Sequence, residues 1–245
     1  EFQTEACHKV HIKSVPNTCY QWVQAKSNPA QKVLIFLHGG GYTIGSTEDH
    51  LELIAQLILQ ANVKVLSVNY RLCPDFQFPA PLDDTIDAYK WLLKEGYSND
   101  QIGFSGISAG ALLVTQAILQ CQNLSLPMPK VALVLSGSTN FNFDEPSYQY
   151  NLDRDWLSTE RLKKIPEYYI PKNQDLHCPL LNPAEQQYES YPSTLFQVGD
   201  YELLLDDCIH FYRLLRQQRH SAYLQVISGL AHIWQLFSKR YKQPK

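Results

Sequence analysis

The stretch Gly106-Ile107-Ser108-Ala109-Gly110 places a serine between two glycines, each two residues away, where a strand-like run meets a helix-like run. Gln101-Ile102-Gly103-Phe104-Ser105 precedes it. The run from Ala109 to Leu119 follows, rich in alanine and leucine, with no glycine beyond Gly110 and no proline. A sharp strand-to-helix turn of this kind lifts one hydroxyl clear of a sheet edge and presents it as a nucleophile. The glycines leave room for the tight backbone, and the serine itself is expected to be strained. Such a serine suits acyl transfer, which also needs donors for an oxyanion, a base, and a carboxylate to orient that base.

His38-Gly39-Gly40-Gly41-Tyr42 directly follows the apolar run Val33-Leu34-Ile35-Phe36-Leu37, which reads as a fully buried strand. Glycines at its end leave amide N–H groups bare. One such donor aimed at a tetrahedral intermediate is worth about 2.7–4 kcal/mol of barrier. A flexible turn after a strand is the bland alternative, and the serine downstream favours the functional one. Near the C-terminus, Ser228-Gly229-Leu230-Ala231-His232 follows the strand-like Tyr223-Leu224-Gln225-Val226-Ile227. A histidine in a loop past a strand can act as general base, because its pKa lies near neutrality. Acidic residues follow another buried strand, in Gly199-Asp200-Tyr201-Glu202 after Thr194-Leu195-Phe196-Gln197-Val198. The order serine, acid, histidine is that of the α/β-hydrolases and not of the two major serine-protease folds.

With these motifs together, the chain resembles the hormone-sensitive-lipase-like carboxylesterases of the α/β-hydrolase superfamily. The resemblance runs through Tyr70-Arg71-Leu72-Cys73-Pro74, Phe78-Pro79-Ala80-Pro81-Leu82-Asp83-Asp84, Gly199 to Asp207 and Gly229 to Phe237, and covers about residues 10 to 242. Such proteins carry Asp before the nucleophile, where this chain has Ile107. The resemblance implies oxyanion donors at Gly40, Gly41 and Ala109, with His38 bracing the loop. It puts the triad carboxylate at Glu202, glutamate standing in for the commoner aspartate; Asp200 is the alternative. Triads tolerate either carboxylate, since its task is to accept the imidazole N–H and stabilise the imidazolium. Asp206 and Asp207 are expected inside the following helix, as caps or structural pairs. The implied catalytic set is therefore Ser108, His232 and Glu202. The implied reaction is hydrolysis of short- to medium-chain acyl esters through an acyl-enzyme, with no metal or organic cofactor. Triacylglycerol lipolysis is disfavoured, because no lipid-docking surface is visible.

The elements that must position these groups follow from alternation. Polar–apolar strands near Lys9 to Lys13 and Cys19 to Ala25 are expected as an antiparallel edge pair. Strands at Val33–Leu37, Val63–Val68, before the elbow, and at Val131–Leu135, Thr194–Val198 and Tyr223–Ile227 then alternate with helices. The helices are expected at about Asp49–Gln60, Asp83–Lys94, Ala109–Gln120, Leu203–Gln218 and His232–Tyr241. This rhythm gives an α/β fold, a mostly parallel central sheet with helices on both faces, in one domain spanning residues 1–245. Sheets of this kind bind ligands at the C-terminal ends of their strands, where every candidate lies.

The stretch from Ser136 to about Pro192 breaks the rhythm, being long, aromatic and proline-bearing. By the resemblance, Asn140 to Tyr169, about 140–170, forms a partial helical lid lining an acyl or alcohol pocket. Relatives also carry helical residues before the first strand that complete the lid; the oxyanion glycines come early here, and a more open pocket is expected. Arg71 is expected to pair with Asp83 or Asp84, and Tyr42 to wall the oxyanion loop. His8, His11, His50, His177, His210 and His220 receive no role.

A chain of 245 residues that is 44% hydrophobic can bury one large core. A net charge of −3, with no basic run beyond Lys239-Arg240 and nearby lysines, excludes nucleic-acid binding as a primary role. No apolar stretch approaches the roughly 18 residues of a membrane span. The six cysteines lack metal-ligand spacing and are expected mostly as free thiols. The expected location is cytoplasmic and the expected partner a small-molecule ester; a homodimer is compatible with the sequence but not required by it. Two other readings compete: an amidase or formamidase of the same fold, and a non-catalytic small-molecule receptor, which the presence of His232 disfavours.

Overall fold

The computed structural model describes residues 5–27 and 30–240, the side chains of 238–240 excepted. Eight strands form one sheet: β1 (Val10–Ser14), β2 (Tyr20–Ala25), β3 (Val33–Leu37), β4 (Lys64–Val68), β5 (Ile102–Ile107), β6 (Val131–Leu135), β7 (Ser193–Gly199) and β8 (Ala222–Ile227). Their spatial order is β1-β2-β4-β3-β5-β6-β7-β8. β1 pairs antiparallel with β2, and β2 with β4; every other pairing is parallel. The seven α-helices among the described residues are α1 (Glu5–His8), α2 (Leu51–Ala61), α3 (Ala80–Lys94), α4 (Ala109–Asn123), α5 (Ser147–Tyr150), α6 (Thr159–Tyr169) and α7 (Leu205–Gln217).

All five residues of β3 are buried, because helices cover both faces of the sheet and side chains alternate between them. Leu34 and Phe36 join one core with Leu53, Ile54 and Ile58 of α2. Val33, Ile35 and Leu37 join the other with Leu82, Ile86 and Tyr89 of α3 and much of α4. The central strands are thereby fixed from both sides, and their C-terminal ends become a rigid platform for the loops that follow. α4 carries this furthest: twelve of its residues, from Ala109 to Cys121, are buried.

The expected helix at His232–Tyr241 is instead a 3₁₀ helix from Trp234 to Arg240, and Tyr241 lies outside the described residues. Ile233 has φ 53°, a left-handed conformation that a right-handed helix cannot run through. His232 is therefore held in a loop. α5 and α6 both fall within the expected lid stretch, and α1 is a four-residue helix that no pattern in the sequence predicts. None of the six cysteines, all of them described, is joined in a disulfide. Arg71 pairs with Asp84, its Nη2 at 2.8 Å and its Nε at 2.9 Å from Oδ1.

Candidate active site

β5 ends at Ile107 and α4 begins at Ala109, so Ser108 alone makes the turn, at φ 56° and ψ −122°. The strain expected from the spacing is present. It is maintained by close backbone packing. A Cβ on Gly106 would lie 2.2 Å from the Gly110 carbonyl oxygen, and one on Gly110 would lie 2.1 Å from that of Leu37. The Ser108 amide donates to the Leu135 carbonyl at 2.9 Å, tying the elbow to β6. Ser108 Oγ stands 2.9 Å from His232 Nε2, and His232 Nδ1 stands 3.2 Å from Glu202 Oε2. His232 and Glu202 are buried, while Ser108 keeps partial exposure.

The carboxylate is fixed by more than the imidazole. Glu202 Oε1 accepts the Gly199 amide at 2.6 Å and the Ser136 hydroxyl at 2.8 Å. Burial pushes the carboxyl above its ordinary value, opposed by the bonds from His232, Gly199 and Ser136. Asp200 is engaged elsewhere, accepting the Ser228 hydroxyl and the Gly229 amide. Of the two candidate acids, the structure brings Glu202 to the imidazole.

The loop after β3 lies against the elbow: a Cβ on Gly39 would sit 3.2 Å from the Ser108 Cβ. Gly40, at φ 118°, must be glycine, since a Cβ there would lie 2.0 Å from the Ile44 carbonyl oxygen. The amides of Gly40, Gly41 and Ala109 have no acceptor among the described residues, and Ala109 opens α4, whose dipole adds positive potential at the serine. His38 holds the loop, its Nδ1 2.8 Å from the Gly39 carbonyl oxygen and its ring stacked on Tyr70 at 4.1 Å. Tyr42 is buried and stacks on Tyr169 of α6 at 3.9 Å.

Four further side chains, to which the sequence pattern assigns no role, hydrogen-bond to the backbone of these segments. His50 Nε2 accepts the Gly39 amide at 3.1 Å. Asn151, Asp155 and Trp156 make hydrogen bonds to the main chain of the acid turn or of His232. Nothing local marks them: His50 reaches back 11 residues to Gly39 across a loop, and the other three reach segments 48 to 77 residues away.

A cavity of about 810 Å³ opens over Ser108 and His232. Gly40 and Gly41 lie on one side of it; Trp156, Leu157, Ile165 and Tyr168 form its apolar wall. Ser108 is open to this space rather than sealed. Among the described residues no group of three or more His, Cys, Asp or Glu is placed to hold a metal ion. No helix among them is long and apolar enough to cross a membrane.

A family profile described as alpha/beta hydrolase fold matches residues 34–236. An acetyl-hydrolase of Streptomyces hygroscopicus is 31% identical over 197 residues, covering 80% of this chain and 65% of that protein. An esterase of Acinetobacter venetianus is 27% identical over 238 residues, covering 96% of this chain and 78% of that one. Among solved structures, an esterase of the bacterial hormone-sensitive lipase family superimposes with a TM-score of 0.89 at 31% identity, covering 95% of this chain and 78% of that one.

Proposed function

This chain belongs to the α/β-hydrolase fold family, and on that premise we propose that it is a serine carboxylesterase acting on short- to medium-chain acyl esters. The observation that carries the reading is the hydrogen-bonded line from Ser108 Oγ through His232 to Glu202, at 2.9 and 3.2 Å, beneath an apolar cavity.

With Nδ1–H donated to Glu202, the imidazole presents an unprotonated Nε2 to the serine. Ser108 Oγ attacks the ester carbonyl carbon and its proton passes to His232 Nε2. The carbonyl oxygen becomes an oxyanion, received by the amides of Gly40, Gly41 and Ala109. Collapse breaks the bond to the alcohol, which leaves with the proton from His232, and the acyl group stays on Ser108. Water then gives a proton to His232 and attacks the acyl carbon. The acid departs as the proton returns to Ser108. Glu202 stabilises the imidazolium formed in each half-reaction and is itself never protonated.

The experiment is an acyl-length series of p-nitrophenyl esters, each with its matched anilide, on the wild type and Ser108→Ala, with phosphonate labelling of the serine. The expected result is a kcat/KM maximum at short to medium chains and loss of both turnover and labelling in Ser108→Ala. Retained activity in that variant ends the proposal, and anilides cleaved faster than esters would favour the amidase reading.

A further inference from the structure

We propose that Asp155 is a positioning residue for the reaction assigned above, tying the loop of the base to the turn of the acid; the inference rests on that assignment. Asp155 lies between α5 and α6 and is half-buried. One carboxylate oxygen accepts the His232 amide at 2.9 Å and the other accepts the Leu203 amide at 2.8 Å. Leu203 directly follows Glu202, so one side chain links the backbone of the base to the backbone beside the acid.

The next residue completes the arrangement. Trp156 Nε1–H donates to the His232 carbonyl at 2.8 Å, with the two rings 5.5 Å apart. Both main-chain polar groups of residue 232 are thus satisfied by side chains of the segment before α6. Asn151 adds to the same brace, donating from Nδ2 to the carbonyls of Asp200 and Glu202, each at 2.9 Å.

His232 needs such a brace because no strand or α-helix holds it. The residue after it has φ 53°, and only a 3₁₀ helix follows. An imidazole that must meet a hydroxyl on one side and a carboxylate on the other tolerates little drift, and displacement by about 1 Å can cost about 100-fold in rate. A carboxylate suits the task, since its two acceptor oxygens face the amides of His232 and Leu203, Oδ1 also accepting the Leu157 amide at 3.3 Å. An asparagine of the same size offers one acceptor and two donors, so one amide would meet N–H rather than oxygen.

Steady-state kinetics on p-nitrophenyl butyrate, Ser108 phosphonylation rates and thermal melts of the wild type, Asp155→Asn and Trp156→Phe test this. In Asp155→Asn we expect kcat and the phosphonylation rate to fall by about 10- to 100-fold while KM stays within about twofold. Trp156→Phe, which keeps the cavity wall but loses the N–H, should lower kcat by about 3- to 10-fold. An Asp155→Asn enzyme with kcat within about twofold of wild type, or a loss confined to KM, overturns the inference. If Asp155→Asn does not fold, Trp156→Phe decides, and an unchanged kcat there also overturns it. An inactive wild type would overturn the assignment of the site and this inference together. An active wild type with an unimpaired Asp155→Asn overturns this inference alone.

Discussion

The Gly229 amide donates to Asp200 Oδ1 at 2.6 Å, which joins the turn after β7 to the loop after β8. Ser228 Oγ adds a second bond to the same carboxylate at 2.9 Å. Two acids separated by one residue thus do different work. Asp200 shapes the loop that carries His232, and Glu202 meets the imidazole.

Glu202→Gln should therefore lower kcat by about 10³- to 10⁴-fold, since the amide can present an N–H to Nδ1 and favour the wrong tautomer. Asp200→Asn retains an acceptor for the Gly229 amide and should keep kcat within about 10-fold while lowering Tm. Measuring kcat on one ester for both variants checks the assignment. Near-normal turnover in Glu202→Gln would falsify it.

His50 holds the start of the glycine loop. Its Nε2 accepts the Gly39 amide at 3.1 Å and its Nδ1–H donates to the Ser46 carbonyl at 3.0 Å, which requires the neutral ring. Burial lowers its pKa and keeps it so. His50→Ala leaves a buried amide without an acceptor, a loss of about 1–3 kcal/mol. If that loss falls on the oxyanion loop, kcat drops by about 5- to 150-fold with KM little changed. Gln at this position carries an acceptor oxygen and should recover part of the loss; equal kcat in wild type and His50→Ala removes the role.

Gly110→Ala should destabilise the fold by about 3 kcal/mol or more. The added Cβ would meet the carbonyl oxygens of Leu37 and His38 at 2.1 and 2.5 Å, and backbone there cannot yield. Gly96→Ala makes the contrast: φ is 94° but nothing lies within 4 Å, so only conformational strain of about 1–2 kcal/mol applies. Urea midpoints of the two variants should differ accordingly, and equal midpoints would contradict the packing argument.

Asp207 gives a pH dependence of known sign. It is fully buried, with the Tyr148 hydroxyl at 2.8 Å and the Thr139 amide at 3.2 Å, and burial pushes its carboxyl from 3.8 up to about 7. As pH falls through about 7, the folded protein takes up a proton here that the unfolded chain does not accept until about 3.8. The group's contribution to stability therefore rises as pH falls across that window and is constant below it. Asp207→Asn cannot titrate. The wild-type Tm minus the variant Tm should grow from pH 8 to pH 4, each kcal/mol of linkage moving Tm by about 2–4 °C. A gap constant across that range would refute it.

The alternation of buried strands and amphipathic helices was legible in the sequence, because period and burial are local properties of a segment. Over His232–Tyr241 the pattern predicts a helix, where the structure has a 3₁₀ helix from Trp234 to Arg240. At its start Ile233 has φ 53°, and Asp155 and Trp156, 77 and 76 residues away in sequence, hold both main-chain polar groups of His232.

The sequence alone determined the strand–elbow–helix around Ser108, the glycine loop after β3, and the serine–acid–histidine order, since each is written in adjacent residues. Only the tertiary structure decided which carboxylate meets His232, that His50 anchors Gly39, and that Asp155 bonds both the His232 amide and the amide after Glu202. These hydrogen bonds join residues 11 to 77 apart and depend on how the sheet stacks its loops. No local pattern encodes that stacking, because it is fixed by the packing of the whole core.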